Sequence, residues 1–246
     1  MLYLIGIGLN DETDITVKGL DRVRKSEYVY LENYTSKLDI PFSKLEEFYG
    51  KKVELVERAF VESGKEMIEK AKDSNVSLLI IGDVFSATTH ISLYREAREA
   101  GVEVEVINNA SVLNAIGITG LELYKFGKVA SIPFLNAEVT VPYDVLQMNS
   151  KMGLHSLFLL DLKPKEGKFM ECKEAVEYLL RVEMGKEKGL ISPDTKVVVC
   201  AKLGSKDFIV KYIKACDVKD LGVYPQCLII PGEMHFMEEE VLESYL

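Results

Sequence analysis

The chain has 246 residues and a formal net charge of -9, with 39 acidic against 30 basic side chains. Because bulk nucleic acid is bound by a basic surface, this charge argues against a protein that binds nucleic acid directly. Hydrophobic residues make up 48% and charged residues 28% of the chain, as in an ordinary soluble protein, and the length allows one large domain or two small ones.

The first half of the chain alternates predicted strands and helices. Strands are expected over residues 2–7, 28–31, 53–56, 76–81 and 102–107, and helices over residues 16–25, 43–49, 62–72 and 89–100. Alternating glutamates in the last strand indicate an edge or a half-exposed face. This order of elements predicts an N-terminal α/β domain with a mostly parallel sheet over residues 1–109.

The second half has a different pattern, in which the predicted strands are farther apart. Helical segments are expected over residues 112–118 and 121–126, strands over 129–132, 156–160, 197–201 and 228–230, and the longest amphipathic helix over 172–186. We expect a C-terminal α/β domain with a mixed sheet over residues 110–246. The ligand is then expected in the groove between the two α/β domains.

Two glycine-containing loops each follow an apolar strand in the first half. The opening run MLYLIGIGL contains Gly6 and Gly8, and a second loop opens at Gly82 after the apolar residues 78–81. Open α/β sheets bind ligands at such strand ends, so the pair of loops predicts a nucleotide-like ligand. A dinucleotide is not favoured, because Asp11 stands where the dinucleotide fingerprint needs its third glycine. A plain tight turn stays open as the alternative for the first loop.

The sequence lacks the motifs of nucleophilic and metal chemistry. Neither Gly-x-Ser-x-Gly nor His-Glu-x-x-His occurs, so no metal site is expected and no catalytic residue is identified. The four cysteines lack Cys-x-x-Cys spacing and are expected to be reduced thiols. The apolar start is too short for a signal peptide, and no apolar run has the length of a bilayer span. We therefore expect a cytoplasmic protein without membrane contact.

Six segments of the sequence carry a resemblance to a known class of enzymes. They are YLIGIGLNDETDITVKGL (3–20), Tyr34-Thr35-Ser36 after Glu32, Ala87-Thr88-Thr89-His90, NASVLNAIGITGLELYKFGK (109–128), GLHSLFLLDLK (153–163) and IIPGEMHF (229–236). With these segments the chain resembles the tetrapyrrole-methylase-like class of S-adenosylmethionine-dependent methyltransferases, and within it the diphthine synthase family. One departure is Val84, because the family's second loop reads Gly-Asp-Pro. We expect this change to soften the loop without abolishing binding.

The resemblance implies a homodimer that binds S-adenosyl-L-methionine, and forms S-adenosyl-L-homocysteine, in the cleft between two α/β domains. Carried over residue by residue, the contacts with the cofactor are expected at Leu9, Asp83, Ser86, Ser111, Val112, Leu160, Leu203 and Cys227. The mouth of the substrate site is expected at Tyr34, Phe85 and Thr89. Without the resemblance, Asp83 and Ser111 indicate helix caps, the apolar residues indicate core positions, and His90 indicates a structural histidine.

The function that the resemblance implies is repeated methylation of a translation factor. The acceptor is the amino group of the 3-amino-3-carboxypropyl-histidine of translation elongation factor 2, and the product is diphthine, in diphthamide biosynthesis. Two alternatives stay open: a methyltransferase of the same fold that acts on a tetrapyrrole or on ribosomal RNA, and a non-catalytic dimeric ligand sensor. The residues determine neither the number of methyl groups added nor a general base.

Overall fold

The computed structural model describes residues 1–38 and 40–246, and the chain divides into two compact units, 1–115 and 116–246. The division falls after Ala115, whereas the sequence placed it after Asn109. Asn109 belongs to unit 1 because its side-chain amide donates hydrogen bonds to the carbonyl oxygens of Gly6 and Asp14, at 2.9 and 3.0 Å. The segment that follows Asn109 is therefore attached to the first sheet.

Unit 1 is a parallel sheet with helices on both faces. Among its described residues the strands are β1 (Leu2–Gly6), β2 (Tyr28–Glu32), β3 (Glu54–Val56), β4 (Val76–Ile80) and β5 (Val104–Ile107). The helices are α1 (Val17–Lys25), α2 (Phe42–Tyr49), α3 (Arg58–Ser63), α4 (Lys65–Asp73), α5 (Ile91–Glu99) and α6 (Val112–Ala115). A 3₁₀ turn forms over Glu12–Asp14. The strands pair in the order β3-β2-β4-β1-β5, and each pair is parallel.

The apolar residues of β1 explain why this sheet is covered on both faces. Leu2 and Leu4 pack in one core cluster, and Tyr3 and Ile5 pack in another. This division follows from strand geometry, because successive side chains point to opposite faces of a sheet. All residues of β4 are buried as well. β5 lies at the edge of the sheet, in agreement with its alternating glutamates.

The helix predicted over residues 62–72 is wrong in one respect, because two helices stand there. α3 ends at Ser63, and Gly64 adopts a φ of 61° before α4 begins at Lys65. The N–H of Gly64 closes α3 with a hydrogen bond of 3.1 Å to the carbonyl oxygen of Phe60. Residues with side chains rarely adopt this left-handed conformation, so the glycine both ends one helix and starts the next.

Unit 2 contains a mixed sheet. Among its described residues the strands are β6 (Ala130–Ile132), β7 (Ser156–Leu160), β8 (Leu162–Lys163), β9 (Lys168–Phe169), β10 (Lys196–Ala201), β11 (Ile209–Lys214) and β12 (Gln226–Ile230). The helices are α7 (Val141–Ser150), α8 (Cys172–Lys186) and α9 (Phe236–Glu243). The main sheet has the order β11-β10-β12-β7-β6, in which β6 and β7 are parallel and the other pairs antiparallel. β8 and β9 form a separate hairpin.

The segment from residue 112 to residue 126 is less helical than predicted. It forms the short α6 and two 3₁₀ turns, Ile116–Thr119 and Leu123–Lys125. Gly120 separates the two turns with a φ of 84°, and a Cβ at this position would lie 2.4 Å from Val241 of α9. The sequence did not predict α7, α9, β11 or the hairpin of β8 and β9. In β11 the pattern is weak because lysines interrupt its apolar residues at the edge of the sheet.

Two negative findings concern the described part of the chain. No helix there combines the length and the apolar character that crossing a bilayer requires. Nor do three or more His, Cys, Asp or Glu side chains of those residues come together in a group that could hold a metal ion.

Candidate active site

The loops that follow β1, β4 and β5 meet at Gly82. The N–H of Gly82 donates to the carbonyl oxygen of Gly8 at 2.7 Å, and the N–H of Gly8 donates to the carbonyl oxygen of Gly82 at 3.3 Å. A Cβ on Gly82 would lie 3.8 Å from Leu9 Cδ2, 3.8 Å from the carbonyl oxygen of Ala110 and 3.9 Å from Ser111 Cα. Two of the predicted cofactor residues, Leu9 and Ser111, therefore border the same glycine.

Gly6 allows the ends of β1 and β4 to approach this closely. A Cβ on Gly6 would lie 2.6 Å from the carbonyl oxygen of Gly82 and 3.1 Å from Asp83 Cα. Backbone atoms cannot move aside as a flexible side chain can, so only glycine fits. The loop after β1 is held by Asp14, whose Oδ2 accepts hydrogen bonds from the N–H groups of Leu9 and Asn10, at 3.1 and 2.8 Å.

Asp83 ties the loop after β4 to the loop after β5. Its Oδ1 accepts from the Phe85 N–H at 3.1 Å and from the Ser86 hydroxyl at 3.0 Å. Its Oδ2 accepts from the Asn108 side-chain amide at 2.9 Å and from the Asn109 N–H at 3.1 Å. Burial by itself raises the pKa of Asp83, but these four donors outweigh it and hold the pKa below its ordinary value. The carboxylate is thus ionised at neutral pH and already engaged within the chain.

Ser111 forms the turn at which the chain leaves the end of β5. Its N–H donates to the side-chain oxygen of Asn114 at 2.7 Å, and its hydroxyl oxygen accepts from the Leu113 N–H at 3.2 Å. Ser111 is buried, whereas Val112 beside it is only partly buried. The turn fixes Ser111 next to Gly82 and leaves part of the Val112 side chain accessible.

Val84, which stands where the family's loop has proline, packs in the core of unit 1. Its side chain is fully buried in the same cluster as Leu2 and Leu4 of β1. Its carbonyl oxygen accepts from the Thr88 hydroxyl at 2.7 Å. The loop is therefore held by packing and by its carbonyl oxygen.

A buried acidic and basic pair lies beside this loop. Glu32, the last residue of β2, is 0% exposed, and its Oε1 accepts a hydrogen bond from the Thr35 hydroxyl. Its Oε2 has no hydrogen-bond partner among the described residues and lies 4.0 Å from Nε2 of His90. Nδ1 of His90 lies 3.3 Å from the carbonyl oxygen of Val84. Because a carbonyl oxygen only accepts, Nδ1 carries the proton and Nε2 of the neutral ring is an acceptor.

Tyr34 connects this pair to the surface of unit 1. Its hydroxyl oxygen lies 3.5 Å from Nε2 of His90, and the guanidinium carbon of Arg58 lies 5.2 Å from the centre of its ring. Burial raises the pKa of Glu32 to about 7, although the Thr35 hydroxyl and the charge of Arg58 act in the opposite direction. Burial also lowers the pKa of His90, while its bond to the Val84 carbonyl opposes that shift. Glu32 therefore exchanges its proton near neutral pH, whereas burial favours the neutral form of His90.

The three residues predicted at the substrate mouth differ in their surroundings. Tyr34 and Phe85 are partly buried and pack against the same core cluster. Phe85 meets the ring of Tyr94 edge to face, with 6.1 Å between the ring centres. Thr89 is exposed, and its carbonyl oxygen accepts from the hydroxyl of Ser92 at 2.9 Å. The sequence pointed to Tyr34 but missed the pairing of Glu32 with His90, whose only signal was an acidic residue just before Tyr34-Thr35-Ser36.

The predicted cofactor residues of unit 2 lie at one edge of its sheet. Leu160 ends β7, Leu203 follows β10, and Cys227 stands near the start of β12. β12 runs antiparallel to both neighbours, with Cys227 opposite Leu159 and Cys200, so the start of β12 lies beside the ends of β7 and β10. All three side chains are buried. That they hold one ligand together with the residues of unit 1 stays a prediction.

Comparisons with known proteins agree on one family. The model of the tetrapyrrole (corrin/porphyrin) methylases matches residues 1–215. The diphthine synthase of Methanocaldococcus jannaschii is 44% identical over 99% of this chain and 98% of its own length. The diphthine methyl ester synthase of Dictyostelium discoideum is 38% identical over 100% of this chain and 98% of its own. A crystal structure of a diphthine synthase superposes with a TM-score of 0.91 at 36% identity, over 99% of this chain and 95% of that one. The predicted tetrapyrrole-methylase-like α/β fold is confirmed.

We predict that Glu32→Gln changes how the free energy of unfolding depends on pH. The folded protein holds the Glu32 proton up to a pKa of about 7, whereas an unfolded glutamate releases it near 4.5. The native state thus binds more protons between these values, and wild-type stability falls there as the pH rises. The glutamine variant lacks this loss, so its advantage over wild type should grow by about 3 kcal/mol from pH 4.5 to pH 8.

Urea unfolding of both proteins at several pH values measures this difference. The matched control is Glu54→Gln, an exposed glutamate on the neighbouring strand β3, whose stability curve should stay parallel to that of wild type. Parallel curves for Glu32→Gln and wild type would show that the Glu32 carboxyl has the same pKa in the folded and the unfolded protein.

Proposed function

Because the chain belongs to the tetrapyrrole methylase family, and within it to the diphthine synthases, we propose that it methylates translation elongation factor 2 with S-adenosyl-L-methionine. The chain is a methyltransferase of diphthamide biosynthesis. The acceptor in this proposal is the amino group of the 3-amino-3-carboxypropyl-histidine, and repeated transfer gives diphthine and S-adenosyl-L-homocysteine. The observation that carries the proposal is similarity over nearly the whole of both chains, at 44% identity to the archaeal diphthine synthase.

The strand ends of unit 1 suit the proposed cofactor. The absent side chain of Gly82 leaves space bordered by Leu9, Ala110 and Ser111. The apolar side chains of Leu9 and Val112 provide surface for an adenine ring, and the carbonyl oxygen of Ala110 provides an acceptor. Bound here, S-adenosyl-L-methionine supplies a methyl group on a positively charged sulfur. Ser86 takes part through Asp83, to which its hydroxyl donates.

Alignment of the reacting atoms is what such a site has to contribute. Displacement from a sulfonium requires the nitrogen, the methyl group and the sulfur to lie in line, and good positioning contributes roughly 7–11 kcal/mol in favourable systems. The hydrogen bonds of Asp83, Asn109 and Ser111 keep the three loops in a fixed arrangement before a ligand arrives. This arrangement supports an enzyme. The sensor, tetrapyrrole and ribosomal-RNA alternatives are not favoured, because the curated relatives are synthases of diphthine or its methyl ester.

We also propose that two copies of the chain associate through unit 2. Its exposed apolar side chains include Ile118, Leu123, Tyr124, Phe236, Met237 and Leu246. They belong to neighbouring elements. The hydroxyl of Tyr245, two residues after α9, donates to the carbonyl oxygen of Ile118 at 2.9 Å, and Glu238 of α9 accepts from the Glu122 N–H at 2.8 Å. We call this set the apolar face. In a two-fold symmetric dimer the apolar face of one copy would pack against the apolar face of the other. Side chains that a single copy exposes to water would then be buried. The cytoplasm is the compartment in which elongation factor 2 would be met.

We predict methylation of elongation factor 2 only where its histidine already carries the 3-amino-3-carboxypropyl group. The unmodified histidine offers no aliphatic amine, so it serves as the matched control. Mass spectrometry of the factor after incubation with the protein and S-adenosyl-L-methionine gives the number of methyl groups. It also separates a trimethylated amine from a product with a further methyl ester, since relatives of both names match this chain. Equal methylation of both factors, or preference for a tetrapyrrole, would contradict the proposal.

Asp83→Ala should weaken binding of S-adenosyl-L-methionine by about 1–3 kcal/mol. The substitution leaves four donors without their acceptor, so the loops after β4 and β5 lose their fixed arrangement. Calorimetric titration measures the affinity, after a thermal melt has shown that the variant is folded. Asp194→Ala is the control, because this exposed carboxylate belongs to unit 2 and pairs with Lys214 at 2.8 Å. Unchanged affinity in a folded Asp83→Ala protein would remove Asp83 from the binding site.

Tyr124→Lys should convert the pair of chains into single chains. Tyr124 is 80% exposed on the apolar face, and a lysine there would place a charge in a surface that has to lose its water on association. We expect the dissociation constant to rise ~30-fold or more. Light scattering at micromolar protein measures the mass, with Met184→Lys of α8, 81% exposed outside this face, as the control. A wild-type protein that stays monomeric would refute the dimer.

A further inference from the structure

The acceptor amine of the proposed reaction must lose a proton before it can attack a methyl group. A primary alkyl amine is an ammonium ion at neutral pH, and its nitrogen has a free electron pair only after an N–H bond breaks. Each methylated product except the last is again an ammonium ion that must be deprotonated. Repeated methyl transfer is therefore faster when a proton acceptor of suitable pKa lies within hydrogen-bonding distance of the amine.

Glu32 and His90 form a buried titratable pair of unit 1 that cofactor binding leaves without a role. A purely structural carboxylate in the core normally has all its oxygens hydrogen-bonded, but no described residue offers Oε2 of Glu32 a hydrogen bond. The Thr35 hydroxyl engages the other oxygen, so Oε2 is the one that faces Nε2 of His90, 4.0 Å away. Two atoms that can accept a proton, Oε2 of Glu32 and Nε2 of His90, thus face each other across 4.0 Å.

The position of the pair in the fold places it beside the candidate cofactor loop. Glu32 is at the carboxyl end of β2, which pairs in parallel with β4, the strand that leads to Asp83. His90 bonds the carbonyl oxygen of Val84, the residue next to Asp83, at 3.3 Å. Tyr34 is partly buried, and its hydroxyl oxygen lies 3.5 Å from Nε2 of His90. Tyr34 therefore lies between the surface of unit 1 and Nε2 of His90, the atom that faces the buried carboxylate.

We propose that Tyr34, His90 and Glu32 form a relay that takes the proton from the acceptor amine, an inference that rests on the proposed function. The N–H bond of the substrate ammonium breaks and its proton goes to the hydroxyl oxygen of Tyr34, while the hydroxyl proton of Tyr34 passes to Nε2 of His90. The amine keeps the electron pair for the methyl carbon, and the C–S electrons go to the sulfur. The carboxylate of Glu32 stabilises the imidazolium. The proton returns to water by the same path, which resets the relay.

The surroundings of the relay set the pH at which it works. Arg58 and Glu62 of α3 act on Tyr34, and Arg58 also favours the ionised form of Glu32. Thr35 faces Glu32, and the carbonyl oxygen of Val84 faces His90. Because burial raises the pKa of Glu32 to about 7, the Glu32 carboxyl is protonated below that pH and ionised above it. The relay accepts a proton when Glu32 is ionised, so the rate of methylation should rise as the pH increases through about 7.

The test compares the kinetics of methylation in wild type, Tyr34→Phe and Glu32→Gln. The acceptor is elongation factor 2 with the modified histidine, at saturating S-adenosyl-L-methionine, from about pH 6 to about pH 9. Tyr34→Phe should lower kcat ~100-fold with KM and cofactor affinity unchanged, because it removes the transferring hydroxyl and little volume. Glu32→Gln should lower kcat and lose the inflection near pH 7. Tyr28→Phe, at the opposite end of β2, is the matched control and should match wild type.

Each outcome decides between two ideas. No methylation by wild type under any condition would refute the proposed function, and the relay would fall with it. Methylation by wild type with an unchanged kcat and pH profile in Tyr34→Phe and Glu32→Gln would overturn the relay alone. Variants that change the melting temperature or the cofactor affinity but not kcat would show that the cluster only supports the fold.

Discussion

Four hydrogen bonds to the carboxylate of Asp83 hold the candidate site together. They join the loop after β4 to the loop after β5, and Asn109, one of the residues that donate them, also reaches back to the carbonyl oxygen of Gly6 at the end of β1. Three strand ends are thereby fixed to one another by a group that lies mostly out of solvent. The bonds from Asn108 and Asn109 attach the segment after β5 to unit 1, which extends to Ala115.

The parallel arrangement of the strands determines where this hydrogen-bond network forms. When neighbouring strands run in the same direction, their carboxyl ends meet at one edge, and the loops that leave them share a small volume. In unit 1 that edge contains the end of β2 as well as those of β1, β4 and β5. The Glu32–His90 pair is therefore a neighbour of the candidate cofactor loop, although 58 positions separate the two residues in the sequence (90 − 32).

A buried carboxylate has a comparable part in unit 2. Glu238 of α9 accepts hydrogen bonds from the Glu122 N–H, the Lys125 ammonium, Nε2 of His155 and the His235 N–H. Burial alone raises the pKa of Glu238, but these donors lower it to about 2. They attach α9 to the 3₁₀ turn at Leu123–Lys125, so the apolar side chains of both elements form the apolar face. In each unit a single ionised carboxylate thus connects segments that the sequence separates.

The sequence by itself determined the elements whose own residues carry the signal. The mostly apolar β4, the alternation in β5 and the amphipathic α8 were predicted. Burial on both faces leaves a nearly continuous apolar run, and burial on one face or on a helical stripe leaves a periodic pattern. The cofactor residues, in contrast, came from resemblance, since Leu9 and Val112 have no local pattern that separates a ligand contact from a core position. Only the tertiary structure decided that Asp83 engages Asn108 and Asn109, and that Glu32 faces His90. These contacts depend on strand pairing and on side-chain burial. Both are set by the whole fold and cannot be read from a short stretch of sequence.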